Sequence, residues 1–201
     1  MKVKDAMRLH RKDGATGLVV LEYPPTTRHI IMGTRWTYLA LPYQYLLLVY
    51  RRPGPAWLFA PLWLLDFRLA WRKSPLHSIT DPVAGCGLPM GTHFSSFCHG
   101  NFKNIPHLTL SGWLNYMVHW FWTSSFYKSC ETVSGMSFDQ WQKWSREDPS
   151  FILRMGWQET VPLLEVLQKM GWTDWPPATT LFPYRGPDHD KVHGDQPQLR
   201  V

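Results

Sequence analysis

Short apolar runs broken by proline and glycine fill the first half of the chain, a strand-and-turn pattern rather than a helical one. Gly17-Leu18-Val19-Val20-Leu21-Glu22-Tyr23 is aliphatic and β-branched and is closed by Pro24-Pro25, which cannot donate to a central ladder, so it predicts a strand. Arg28 to Met32 and Arg35 to Leu41 flank Gly33-Thr34 and predict a hairpin, and Tyr43 to Tyr50 predicts a further, largely apolar strand after Pro42. Trp57 to Trp71 is continuously apolar and reads as a strand pair or as a helix, with Pro61 breaking either. Its half from Leu62 to Trp71 reads as another strand that stops at Arg72-Lys73-Ser74-Pro75. Successive strands on short connections imply an antiparallel meander.

The second half changes period. Leu110, Trp113, Leu114, Met117, Trp120 and Phe121 recur at helical spacing, with Thr109 or Ser111 as an N-cap, and predict a helix whose apolar face packs on the sheet. Ser137 to Glu147 predicts a second helix, with Ser137 and Gln140 as a capping box and Asp148-Pro149 as its end. Glu159 to Met170 predicts a third, closed by Gly171. Ser74 to Asn104 is rich in Gly, Pro and Ser and reads as a long irregular segment, the kind that carries function or is poorly ordered. Residues 1–17 read as a basic N-terminal arm, of which 1–14 form a short helix or a loose segment. Residues 18–172 read as one domain, and 173–201 as an extended or disordered tail with many prolines and few aliphatics.

Composition narrows the classes. With 201 residues, 44% hydrophobic and 15% aromatic, the chain suits one domain with a full core, and its 12 tryptophans exceed what a modest core needs, which points to an aromatic contact surface. The net charge of +6 favours acidic partners. The basic residues are scattered and no nucleic-acid-binding motif accompanies them, so no nucleic acid is expected as a partner. The longest apolar stretch, Thr37 to Tyr50, has Pro42 and Gln44 inside it and is shorter than the ~20 residues a span requires, so no membrane span is expected. Three cysteines, Cys86, Cys98 and Cys130, are too few and too odd for a disulfide framework, and the N-terminus has no apolar leader, so a cytoplasmic protein is expected.

Cys98 is the one candidate nucleophile with chemistry around it. His93 and His99 lie close in sequence and a helix follows, and a neighbouring imidazolium and a helix N-terminus both lower a thiol's pKa. The alternative is a buried inert cysteine, since free cysteine is among the most buried residue types. A zinc site built from Cys86, Cys98, His99 and His93 lacks the closely paired ligands such sites use, so no metal and no cofactor is expected. Asp139, Glu147, Glu159 and Glu165 fall on helix surfaces in this reading, with no carboxylate pair of the glycosidase kind.

Leu88-Pro89-Met90, Cys98 and Leu108-Thr109-Leu110-Ser111 fall on the spacing of the ubiquitin-conjugating enzymes, in which a short turn precedes the catalytic cysteine and a helix follows it. The looser form of the motif, leucine-proline, a variable loop, then cysteine with Gly100 soon after, resembles divergent bacterial, plasmid and phage members of that superfamily. The resemblance covers roughly residues 18–125 and its motifs lie in the central part of that range. It implies an α+β fold, a UBC-like antiparallel sheet of about four strands backed by helices, with the helices after residue 137 as additions. It further implies that Cys98 accepts the C-terminus of a ubiquitin-like protein, delivered by an adenylating enzyme, with His93 or His99 assisting deprotonation. Where the family has histidine and asparagine in its turn, this chain has Leu88 and Met90; methionine cannot donate a hydrogen bond, and Asn101, Asn104 or a backbone N–H would have to substitute. The alternative from another class is the same fold kept as a non-catalytic protein-interaction or assembly module, virion-associated if the protein is phage-encoded.

Overall fold

In the computed structural model the described residues are 5–10 (as backbone), 15–52, 54, 62–85, 109–126 and 136–173. Asp5–His10 (β1) and Thr16–Tyr23 (β2) form an antiparallel pair, from Asp5 opposite Glu22 to His10 opposite Gly17. Part of the segment expected as a helix or loose arm is therefore an edge strand. Pairing with β2 decides its conformation, because a hexapeptide of mixed polar and apolar residues has little intrinsic preference of its own.

Thr26–Met32 (β3) and Arg35–Leu41 (β4) make the expected hairpin, with Gly33 at φ +61 in its turn, the left-handed conformation glycine adopts without strain. Tyr43–Arg51 (β5) and Trp63–Arg72 (β6) follow, then Pro82–Gly85 (β7). The order is not a simple meander. β2 pairs directly with β5, and the β3/β4 hairpin leaves for a second sheet. The departure follows from the prolines, since Pro24-Pro25 and Pro42 offer no N–H to continue the ladder. Gln44, fully buried, serves both corners by donating from Nε2 to the carbonyls of Pro24 at 3.2 Å and Pro42 at 2.5 Å.

Leu110–Thr123 (α1) is capped by Thr109, whose hydroxyl accepts from the Gly112 N–H at 3.1 Å. Ser125–Phe126 (β8) pairs in parallel with β3. Phe138–Glu147 (α2) is capped by Ser137 as expected, its hydroxyl accepting from the Gln140 N–H at 3.2 Å. Phe151–Arg154 (α3), Val161–Pro162 (β9) and Leu163–Lys169 (α4) complete the described chain. The third helix starts later than Glu159 because residues 161–162 are drawn onto the edge of β7 and the residue before a proline is disfavoured in helix; Gly171 at φ +75 ends it as expected.

The architecture is α+β, with a six-stranded antiparallel sheet in the order β1-β2-β5-β6-β7-β9 and a three-stranded sheet β4-β3-β8. That is a larger sheet than the four strands expected, extended by two short strands at one edge. Every residue of β2 is buried, and so is β5 from Gln44 to Tyr50, because both faces of the large sheet are covered. Val19, Leu21, Leu46, Leu48, Phe67, Leu69 and Trp71 meet α1, α2 and the small sheet in an aromatic core. Leu18, Val20, Tyr45, Leu47, Val49 and Ala70 meet Leu163, Val166, Leu167 and Trp172 of the α4 region in a second core.

Candidate functional site

The residues singled out as catalytic, Cys98, His93, His99 and Asn101, lie outside the described residues, as do Cys86 and Cys130, the Leu88-Pro89-Met90 turn and the tail. What is described is their frame. Residues 86–108 connect β7, the strand between β6 and β9, to Thr109, the cap of α1. α1 lies on the aromatic face of the sheet, with Trp113, Leu114, Met117, Phe121 and Trp122 buried. Trp113 packs against Tyr50 at 5.8 Å between ring centroids, and Phe121 meets Phe67 edge-on at 5.0 Å. Tyr50 sits directly across from Gly17, where a Cβ would come within 2.3 Å of the tyrosine ring, so the glycine makes the space that lets this ring reach α1.

Two polar features were not anticipated. The first is buried beside the second core. Tyr45 donates to Glu22 Oε2 at 2.9 Å and accepts from the Leu76 N–H at 2.8 Å. Burial, reinforced by the charge of Glu22 and the hydrogen bond to it, holds the Tyr45 phenol far above its ordinary pKa, so it stays a neutral donor. Arg72 lies on the same face, 2.8 Å from Asp81 Oδ2 and 3.8 Å from Glu159 Oε2. Burial pushes the Asp81 carboxyl up, but the His77 and Ser78 amides and Arg72 together outweigh it and hold it below the usual carboxylate value. Glu159 also accepts from the Lys73 N–H at 2.6 Å. It is therefore not on a helix surface as expected; it closes an ion cluster that ties the end of β6 to the 74–81 loop and to the chain entering β9. With Glu22 and Tyr45 fully buried and both Asp81 and Glu159 bound to Arg72, the arrangement is a clasp between these segments.

The second feature is open to solvent. A cavity of about 210 Å³ lies between β4 and the first turn of α2, with buried Met32, Thr37 and Phe138 as its floor and Arg35, Trp36, Asp139 and Gln142 around it. Trp36 is 63% exposed, the most exposed large apolar side chain among the described residues. The outer face of the hairpin continues the aromatic surface, with His29 and Tyr38 rings 5.0 Å apart. On its inner side Arg28 stacks 4.2 Å over Trp122 and is pushed down to about 10 by burial, partly offset by Tyr23. This contact fastens the hairpin to the end of α1.

No family model, no curated protein and no solved structure matches this chain. The described residues contain no group of His, Cys, Asp and Glu able to hold a metal ion, and no helix among them is long and apolar enough to cross a membrane. The sequence held a signal for the cavity: Trp36 falls beside a polar turn in a strand whose other large apolar residues point to a core. It held none for the clasp, because Asp81 and Glu159 reach Arg72 from distant parts of the chain.

Proposed function

We propose that the protein carries a ubiquitin-like modifier as a thioester on Cys98. The Cys98 thiolate attacks the C-terminal carbonyl of the modifier held as a thioester on an adenylating enzyme, displaces that enzyme's thiolate, and is itself displaced as a thiolate when an amine attacks the new thioester. The observation that supports this reading is the order of elements around the cysteine. A sheet of antiparallel strands comes first, then the segment bearing Leu88-Pro89-Met90 and Cys98, then a helix capped by Thr109 and packed across the sheet. The resemblance implies this order. An alkylation profile tests it. A conjugating cysteine reacts with iodoacetamide in the folded chain with a pH midpoint below the ~8.5 of a free thiol, and Cys98→Ser accumulates a base-labile oxyester adduct in its native host. Resistance of Cys98 to alkylation, together with full biological activity of Cys98→Ala, would leave the fold as a non-catalytic interaction module.

A further inference from the structure

We propose that the cavity between β4 and α2 docks an extended segment of a partner protein, one in which an apolar side chain is flanked by an acidic residue and a basic residue. This site stands whether or not Cys98 carries a thioester. The pairing of β4 shows where its unused backbone groups point. The Ala40 N–H donates to Ser145 Oγ at 2.8 Å and its carbonyl accepts from Trp141 Nε1 at 2.9 Å, so the backbone of Ala40 faces away from β3 and is capped by α2. In an antiparallel strand alternate residues share this direction, which puts the Trp36 N–H and C=O on the same outer edge, nearer the hairpin turn. There the capping contacts of Trp141 and Ser145 lie behind, and the first turn of α2, with Phe138, Asp139 and Gln142, forms the far wall of the cavity.

Three features define the occupant. The outward groups of Trp36 suit the main chain of an extended segment, the mode in which peptides add to a sheet edge. The cavity is below the about 300–1,000 Å³ of drug-sized ligand sites, and the Met32 and Phe138 parts of its floor, beside Thr37 and the exposed indole of Trp36, suit one apolar side chain. Arg35 and Asp139 border it with opposite charge, and neither forms an ion pair or side-chain hydrogen bond with any described residue. A segment with a carboxylate for Arg35 and a cation for Asp139 satisfies both, whereas one of a single sign is attracted at one end and repelled at the other.

Selection of a linear random-peptide library on the immobilised full-length chain tests the site. The expected result is an enriched family with an apolar residue between opposite charges, binding the Trp36→Ala chain at least about tenfold more weakly. Selection on Arg35→Glu should exchange the acidic preference for a basic one, and selection on Asp139→Lys should exchange the basic preference for an acidic one. Because all three side chains are exposed, Trp36→Ala and Arg35→Glu should melt with the wild type, and Asp139→Lys, which reverses the charge in the first turn of α2, should melt slightly lower and stay folded. The proposal is overturned if no family is enriched, or if enriched peptides bind all three variants as tightly as wild type. It is also overturned if sedimentation shows a dimer that Trp36→Ala turns into a monomer, since the occupant is then a second copy of the chain.

Discussion

The two faces of the six-stranded sheet are closed by different means. On one, α1 and α2 lay rings against rings: Trp71 meets Trp141 edge-on at 5.6 Å and Phe121 meets both Phe67 and Phe126. On the other, the short helix α4 covers an aliphatic patch, and its entry is held by the ion cluster of Arg72, Asp81 and Glu159. At its exit Arg68 donates to the carbonyl of Lys169, a cation placed on the negative end of the helix. The aromatic face owes its stability to buried area, which needs no particular pH. The clasped face depends in part on charges, among them the Asp81 carboxyl held below its ordinary pKa, and Asp81 and Glu159 retain 24% and 18% exposure. The difference separates a foundation for α1 from a flap that charge can loosen.

Substitutions on the two faces should differ accordingly. Leu114→Asp puts an unpaired carboxylate into the aromatic core and removes apolar area, at a cost above about 4 kcal/mol. Thermal denaturation should show an unfolded chain at room temperature, and an unchanged melt would remove α1 from the core. Arg72→Met, on the clasped face, leaves Asp81 and Glu159 without their cation. The loss should be about 2–3 kcal/mol, less than the 3–5 of a fully buried pair because both carboxylates keep contact with water.

The same substitution has a pH signature. Asp81 is held below its ordinary value in the folded chain, so its contribution is complete above the ordinary carboxylate pKa of ~3.9 and is lost as pH falls through the lower folded value. Wild type should therefore lose stability on acidification across this range, and Arg72→Met should lose less. Equal acid slopes for the two chains, read from denaturant melts, would show that Arg72 does not hold Asp81.

Gly17→Ala returns to the aromatic face. Its new Cβ meets the Tyr50 ring, which is pinned by Trp113, and the overpacking should cost about 1–3 kcal/mol, eased in the double variant with Tyr50→Leu. A melt as high as wild type would mean that the ring moves freely. Ser137→Ala should have the smallest effect, about 1 kcal/mol for one lost N-cap at α2.

Much of the aromatic face was legible in the sequence, because its determinants are local. Thr109 and Ser137 are caps that act within one turn, and the helical spacing of Trp113, Leu114, Met117 and Phe121 specifies which side is buried. The hairpin was legible from Gly33. Strand order was not, since the pairing of β2 with β5 depends on how Gln44 satisfies two proline corners far apart in sequence. The apolar runs of β2 and β5 were read as strands, but nothing local named α4 as a second cover for the sheet or Arg72 as its anchor. The place of the cavity was not legible: the 12 tryptophans pointed to an aromatic contact surface without naming Trp36, and Asp139 comes from a helix whose approach to β4 rests on Ser145 and Trp141 meeting Ala40.

Native-state hydrogen exchange in low denaturant tests most directly whether the two faces are separable. The amides of α4 and β7 should share an opening free energy below that of α1 and β5, because a seven-residue helix with three buried aliphatics and an entry held by partly exposed charges opens before a fourteen-residue helix held by buried rings. A single opening free energy for α4, β7, α1 and β5, with one common denaturant dependence, would contradict this and make the sheet and both its covers one cooperative unit.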